Sequence, residues 1–265
     1  MRVSTCLPQF LKLYSEIVIF AGHDVATRLH SHHALEIILS FDSNATVHAD
    51  GFDYEGKGIL LKEDIEHATR SDGFAVFICI SPESTLGKRL KVVLRKEKLL
   101  ILSSKTVKQL KNYVGELIAN EHSEKEIISF LTNALIQDIT FVEENYTQDI
   151  RIKNVLDHIL CNSNKPIEFK ELLEIAFLSD GRLSHLFKKE IGIPIRKYIL
   201  WCRVQQGIRY FLAGHTLTQA AHLAGFSDVS HLTRTFVKTF GMSPSQLLRN
   251  FSSKVSRTDV LMTNV

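Results

Sequence analysis

A pattern written twice, 49 residues apart, constrains this chain more than any other feature. The first copy, SDGRLSHLFKKEIGIPIRKYI, runs from Ser179 to Ile199, and the second, DVSHLTRTFVKTFGMSPSQLL, from Asp228 to Leu248. At this offset Leu183 falls on Leu232, Ser184 on Thr233, Phe187 on Phe236, Lys189 on Lys238, Ile191 on Phe240 and Gly192 on Gly241. Two copies are too few for a solenoid, whose units bury a core only by stacking in longer arrays. The repeat therefore predicts two similar helical modules in tandem between Ile167 and Arg249.

Charge separates this region from the rest. Residues 1–150 carry a net −5 and residues 151–265 a net +8, hidden within an overall +3. A basic half beside an acidic half points to a polyanionic partner for the basic half alone. No apolar run approaches the ~18 residues of a membrane span, and the first residues lack the pattern of a secretion signal. Cys6, Cys79, Cys161 and Cys202 are scattered with no CxxC pair. That argues against a zinc finger or a disulfide framework and for reduced thiols in a cytoplasmic protein.

Residues 1–102 read as mostly β. Short β-branched or aromatic runs at 16–20, 35–41, 45–49, 58–62 and 74–80 alternate with breaks such as FDSN, ADG, YEGKG and RSDG. That spacing predicts an antiparallel barrel or sandwich. Lys88–Leu102 fits helix and strand equally well. Helical periodicity begins near Ser103: Val107, Leu110, Val114, Leu117 and Ile118 share a face, as do Ile127, Phe130, Leu131, Ala134, Leu135, Asp138, Ile139 and Val142. These two amphipathic helices, 106–120 and 124–144, either cover the core or pair subunits in a homodimer. The first domain is placed at 1–146, with β structure to 102 and helices over 103–146. A helical domain follows at 150–251, with a flexible tail at 252–265.

In the helical domain, Ile152, Val155, Leu156 and Ile159 form one stripe. A short helix spans 172–177, followed by one capped by Ser179, a long helix over 195–213, a short one over 217–223, and one capped by Ser227 or Asp228. Short helix, tight turn and second helix with a polar exposed face make a helix-turn-helix outline. A helix fits the major groove of B-DNA, where side chains from its first half meet base edges.

Three stretches carry a family resemblance. SDGRLSHLFKKEIG, RVQQGIRYFL and LTQAAHLAGFSDVSHLTRTFVKTFGMSPSQLLR are similar to the DNA-binding domain of the AraC/XylS family of bacterial transcription regulators. The resemblance covers about 100 residues and implies two helix-turn-helix units on a rigid linker helix, placing both recognition helices in successive major grooves. By position it implies DNA contacts from Gly181, Arg182, Ser184, His185, Lys188 and Lys189 in the first unit, and from Val229, Ser230, His231, Thr233 and Arg234 in the second. Arg182, His185 and Arg234 are the strongest base-reading candidates, and Lys188 and Lys189 suit phosphate. The chain departs from the family pattern at four places: Leu173 and Gly207 stand for alanine, Phe177 for the turn glycine, and Ala220 for isoleucine. The departure at Phe177 leads to the expectation that the two half-sites contribute unequally to specificity.

A second dense feature is His30-Ser-His32-His33-Ala-Leu-Glu36, with His67 further on. It resembles the cupin HxHxxxE motif, and Gly58–His67 resembles the second cupin motif, with Glu63-Asp64 where a Pro-Gly pair is usual. On a strand His30, His32 and Glu36 would share a face. Sensor domains of AraC-type regulators keep traces of this motif without a metal. His30, His32, Glu36 and His67 are accordingly read as barrel-lining or effector contacts ahead of metal ligands, with no cofactor expected. An apolar interior is assigned to Ile37, Leu39, Ile59, Leu61, Phe77 and Cys79.

The fold expected is thus α+β: a cupin-like antiparallel barrel or sandwich with two helices, then an all-α double helix-turn-helix domain. The function expected is a cytoplasmic, sequence-specific transcription regulator, an activator rather than an enzyme. Its expected partners are double-stranded promoter DNA, RNA polymerase and a small-molecule effector, with no membrane. A cupin metalloenzyme would leave the repeat and the +8 charge unexplained. A fused DNA-repair methyltransferase would need a reactive-cysteine motif that the chain lacks.

Overall fold

The structure is a computed structural model that describes residues 10–136, 149–162, 165 and 167–249. Asp138, Ile139 and Val142 of the expected stripe, the boundary at 146 and the tail at 252–265 lie outside the described residues. Among those residues the chain divides into two compact units, one of 10–136 and 237–249 and one of 149–236.

The first unit is built on an eight-stranded sheet in which every pairing is antiparallel. Its strands are β1 (Phe10–Leu13), β2 (Ile17–Ala26), β3 (Leu35–Ser40), β4 (Ala45–Ala49), β5 (Phe52–Gly56), β6 (Gly58–Leu61), β7 (His67–Ile80) and β8 (Leu99–Ile101). The order is β1-β2-β7-β3-β6-β8, and the first half of β7 pairs with β4, which in turn pairs with β5. β7 changes partner at a corner. Gly73 there has φ 81°, and β2 slips register opposite it between His23 and Val25. Such bulges bend a strand. Asp24 accepts from the Gly73 N–H at 2.7 Å and Asp42 from the Phe74 N–H at 2.7 Å, pinning the corner. A side chain at Gly73 would collide with Asp42.

Alternation along the strands sorts the core into two layers. Ile37 and Leu39 of β3, Leu60 of β6, and Val76, Ile78 and Ile80 of β7 form one cluster with the helices that follow. Glu36, opposite Cys79 and Leu61, and Ile38, opposite Phe77 and Ile59, face the other way. There Phe20 stacks on Phe77 at 4.6 Å. The apolar interior expected from sequence therefore mixed two faces. Ile37 and Leu39 lie under the helices, whereas Ile59, Leu61, Phe77 and Cys79 share the layer of Glu36.

Lys88–Leu102 resolves into the end of a helix, α1 (Thr85–Leu94), followed by β8. The stretch expected to be mostly β thus includes a ten-residue helix. Ser84 caps it by accepting from the Gly87 N–H at 2.9 Å. Gly87 is required because an added Cβ would run into the Ser81 carbonyl. Two further helices are α2 (Ser104–Ala119), capped by Ser103, and α3 (Glu124–Ile136), where Ser123 and Glu126 exchange capping bonds. Val107, Leu110, Val114 and Leu117 of α2 and Ile127, Leu131, Ala134 and Leu135 of α3 are buried. Most of them join the cluster under the sheet. The stripes expected to cover the core or to pair subunits are thus used for covering it.

The second unit is helical: α4 (Ile150–Cys161), α5 (Phe169–Ala176), α6 (Asp180–Ile191), α7 (Ile195–Leu212), α8 (Leu217–Leu223) and the first two turns of α9 (Val229–Phe240); the last residues of α9, from Val237, and a short α10 (Pro244–Arg249) are counted with the first unit. The α4 stripe Ile152, Val155, Leu156 and Ile159 is buried with Leu172, Leu183, Phe187, Ile191 and Tyr198 in one core. α5 starts three residues earlier than expected, at Phe169.

The turn after α5 repeats the turn after α8. Phe177 N–H bonds to Glu174 and Leu178 N–H to Leu173; Gly225 N–H bonds to His222 and Phe226 N–H to Ala221. This is a Schellman C-cap, which needs a left-handed residue where the helix ends. Gly225 supplies it at φ 78°, and Phe177 supplies it at φ 52°, ψ 40° while 91% exposed. The second turn holds one residue more before the next helix. A left-handed L-residue costs about 1–2 kcal/mol, partly offset by the unfolded-state freedom of glycine. Phe177→Gly should therefore raise the stability of this unit by about 0.5–1 kcal/mol in urea unfolding. Phe177→Ala, still left-handed without glycine's freedom, should not; equal gains for both would refute the strain.

Candidate nucleic-acid interface and a buried histidine cluster

The buried face of α6 is set by Leu183, Phe187 and Ile191, four residues apart. That spacing turns Gly181, Arg182, His185, Lys188 and Lys189 outward, and all five are exposed. Ser184 is half-buried and donates to Asp180 at 3.1 Å within the first turn. On α9, Leu232 and Phe236 are buried, and Ser230 and Arg234 are exposed. Val229, His231 and Thr233 are half-buried.

α9 begins at Asp228, whose carboxylate accepts from the His231 N–H at 2.7 Å. That bond, first, and the Ser227 hydroxyl, with Arg234 nearby, hold the Asp228 carboxyl below its ordinary range. The His231 ring stands edge-on to Phe226 at 5.2 Å, with Nδ1 3.3 Å from the Ser227 hydroxyl. His231 is thus seated on the turn, while Arg234 one turn later is open. Gly207 of the linker α7 is buried, and an added Cβ would lie 3.2 Å from Leu232. Close approach to α9 accounts for glycine where the helix would otherwise favour alanine. Ala220 is fully buried in the same module.

In the first unit His30, His32, Glu36 and His67 come together, all at 5% exposure or less. His30 is not on a strand with His32 as expected. It forms an isolated bridge to His67, and His32 follows in a loop before β3. The three imidazoles nonetheless converge, with ring centroids 4.2–5.5 Å apart. Glu36 Oε2 lies 3.3 Å from His67 Nε2 and 3.7 Å from His32 Nε2. Burial would raise the Glu36 carboxyl, but His32 and His67 outweigh it and hold it below its ordinary range. Burial works against the charged form of His67 too, and Glu36 draws it up. Burial, then His67 and His32, push His30 down to about 3.

His33, between these residues, faces elsewhere. Its Nδ1 lies 2.8 Å from Asp64 and its Nε2 2.8 Å from Glu83. Burial disfavours the imidazolium, but the two carboxylates push the group up to about 9. Asp64 has φ 60°, so it supplies the left-handed turn residue where the cupin pattern has glycine.

A family model described as a helix-turn-helix domain matches residues 172–250, from within α5 to α10. Over this stretch the chain is similar to bacterial regulators of the AraC/XylS family. It is 26% identical over 132 residues to the probable transcriptional regulator LumQ of Photobacterium leiognathi, covering 48% of this chain and 53% of LumQ. Against the arabinose operon regulatory protein of Escherichia coli it is 25% identical over 148 residues, covering 54% of this chain and 50% of the relative. The chain spans about half the length of the curated relatives it matches. Its fold is similar to that of ToxT from Vibrio cholerae, with a TM-score of 0.63 at 14% identity over 91% of this chain and 100% of ToxT. ToxT bound to an unsaturated fatty acid gives 0.61 at 14% identity over 92% of this chain and 98% of that one.

Of the residues the sequence turned outward, Gly181, Arg182, His185, Lys188 and Lys189 of α6 and Ser230 and Arg234 of α9 are exposed, whereas Ser184, Val229, His231 and Thr233 are half-buried; the sequence also found the four members of the cluster. It missed the second job of the histidine run: His33 with Asp64 and Glu83. Its partners stand 31 and 50 residues away. The one local signal was a third consecutive-region histidine that the HxHxxxE pattern did not need.

Proposed function

We propose that this protein is a sequence-specific transcription regulator that docks α6 and α9 in major grooves of promoter DNA. The observation that carries this reading is the repeated module: two Schellman-capped turns, each leading into a helix with one buried face and exposed Arg or Lys on the other. Arg182, His185 and Arg234 read bases; Lys188 and Lys189 neutralise phosphate; Ser230, Ser184, Thr233 and Val229 border the contact, and Gly181 lets the backbone approach. His231 acts through the turn it seats. The role is activation through RNA polymerase in the cytoplasm, without enzymatic turnover. The fold likeness to ToxT, of which one structure holds an unsaturated fatty acid, supports small-molecule control through the first unit. A homodimer would use the outward polar faces of α2 and α3, since their apolar faces are spent on the sheet.

Genome-wide mapping of bound DNA tests the reading, and absence of a recurring site would end it. Arg182→Ala and Arg234→Ala should each weaken the specific site by about 1–3 kcal/mol with relaxed preference at one position. Equal losses on specific and random DNA would make these residues phosphate anchors instead.

A further inference from the structure

We infer that the turn between α5 and α6 is a protein-docking surface, with Phe177 as its apolar anchor and Glu168, Glu171, Glu174 and Asp180 around it. Its occupant is a Lys- or Arg-rich surface of the transcription machinery assembled on the same promoter. The inference rests on the activator reading above and names the surface through which that activation would run.

The chain supplies its own control. Both helix-turn-helix turns share one hydrogen-bond pattern, and the second is completed with Gly225. Phenylalanine is therefore not required to close such a turn. Nor does its ring serve the core: Leu173, Ile175 and Leu178 pack against that core, whereas Phe177 is 91% exposed. A single exposed apolar side chain is ordinary on a protein surface. One that stands in a glycine's place, in a backbone conformation unfavourable to it, points to a use outside the fold.

Charge narrows what that use is. Residues 151–265 are basic, yet four of their eight carboxylates fall between Glu168 and Asp180, where Lys170 is the one cation. All four are exposed. At the equivalent positions the second module carries Gln219 for Glu171, His222 for Glu174 and Gly225 for Phe177. The first module thus adds an apolar anchor and negative charge together. Carboxylates repel phosphate, so this charge disfavours DNA as the occupant. A second copy of the chain would set like charge against like charge across a two-fold contact.

A basic protein surface satisfies both parts. Aromatic anchors supply much of the energy of an interface, and opposite charge around them steers the encounter and fixes its register. The carboxylates remain available for it. Glu171 lies 3.3 Å from the His158 ring and Glu174 3.9 Å from Lys170, and such pairs at the surface are weak.

The test separates DNA occupancy from its consequence. Full-length protein and purified RNA polymerase holoenzyme are assayed on a promoter taken from the genome-wide map, with DNA affinity measured on the same fragment. Phe177→Gly, expected to be the more stable protein, should bind that site within about twofold of wild type. Transcription from the occupied promoter should nonetheless fall roughly fivefold or more. Glu171→Lys combined with Glu174→Lys should do the same while binding DNA at least as well. Asp157→Asn, on α4, should change neither. Phe177→p-benzoylphenylalanine should photocrosslink to a Lys- or Arg-rich segment of the polymerase. Unchanged transcription in the Phe177 and Glu171/Glu174 variants overturns the inference, as does a wild type that occupies the promoter without raising transcription. A fall that tracks lost DNA affinity, or crosslinking to DNA alone, makes Phe177 a DNA contact and overturns it too. Each of these results leaves sequence-specific DNA binding standing, whereas a wild type with no recurring site ends both readings together.

Discussion

Replacing His33 by alanine should destabilise the first unit by about 3–5 kcal/mol at pH 6, because it leaves Asp64 and Glu83 facing each other's charge without the cation between them. The His33 side chain is 2% exposed and bonds a carboxylate through each nitrogen at 2.8 Å. Asp64 belongs to the turn between β6 and β7, and Glu83 to the approach to α1. One ring therefore fixes three segments, including the loop that carries His30 and His32.

The pH dependence has a definite sign. The His33 pKa is raised on folding from 6.5 to about 9. Its contribution is fully present below pH 6.5 and is lost as pH rises through 9. The titrating part is worth about 3 kcal/mol. Urea unfolding followed by circular dichroism should show the gap between wild type and His33→Ala widest at pH 6 and mostly closed by pH 10. Groups titrating identically in both proteins cancel from that difference. A gap constant from pH 6 to pH 10 would reduce His33 to packing alone. His33→Gln, which keeps volume and a donor but cannot take a proton, should recover part of the loss at pH 10 and less of it at pH 6.

The parts of this fold that the sequence disclosed are those governed by local rules. The period of Leu183, Phe187 and Ile191 placed the exposed face of α6 because helix geometry alone decides which residues lie opposite. A cap bonds within its own turn, so the start of α2 near Ser103 and that of α9 at Ser227 or Asp228 were legible, with Ser103 and Asp228 making the bonds; Ser179 stands at the start of α6 but makes no side-chain capping bond. The strands were harder. Ile37 and Ile59 are equally apolar, and only pairing across β3, β6 and β7 assigns them to different layers. α1 was hidden because TLGKRLKVVL mixes β-branched and helix-forming residues, and its close packing against Ser81 is a tertiary fact. Phe177 looked like a broken turn signal. It instead takes the glycine's conformation at a cost, since Leu178 and the Leu173 carbonyl complete the cap around it.

Phe187→Ala should remove about 3–5 kcal/mol from the second unit, which is much of the stability of a typical domain. The ring is fully buried and meets Tyr198 edge-on at 5.6 Å. It lies in the core that joins α4, α5, α6 and α7. Leu183 and Ile191 flank it on the same helix, so the hole cannot close without moving the face that carries Arg182 and His185. The single tryptophan, Trp201, packs against this same core and reports on it directly. Its fluorescence should show a urea midpoint lowered in Phe187→Ala and much less affected in Phe236→Ala, whose ring serves the other module. Specific DNA affinity should fall in both, but footprints should shrink at opposite half-sites. Unequal specificity then follows if the half-site lost with Phe187 tolerates base changes more readily than the one lost with Phe236. Indistinguishable Trp201 midpoints for the two variants would mean that the modules share one core, and would remove the physical basis for treating them as separate readers.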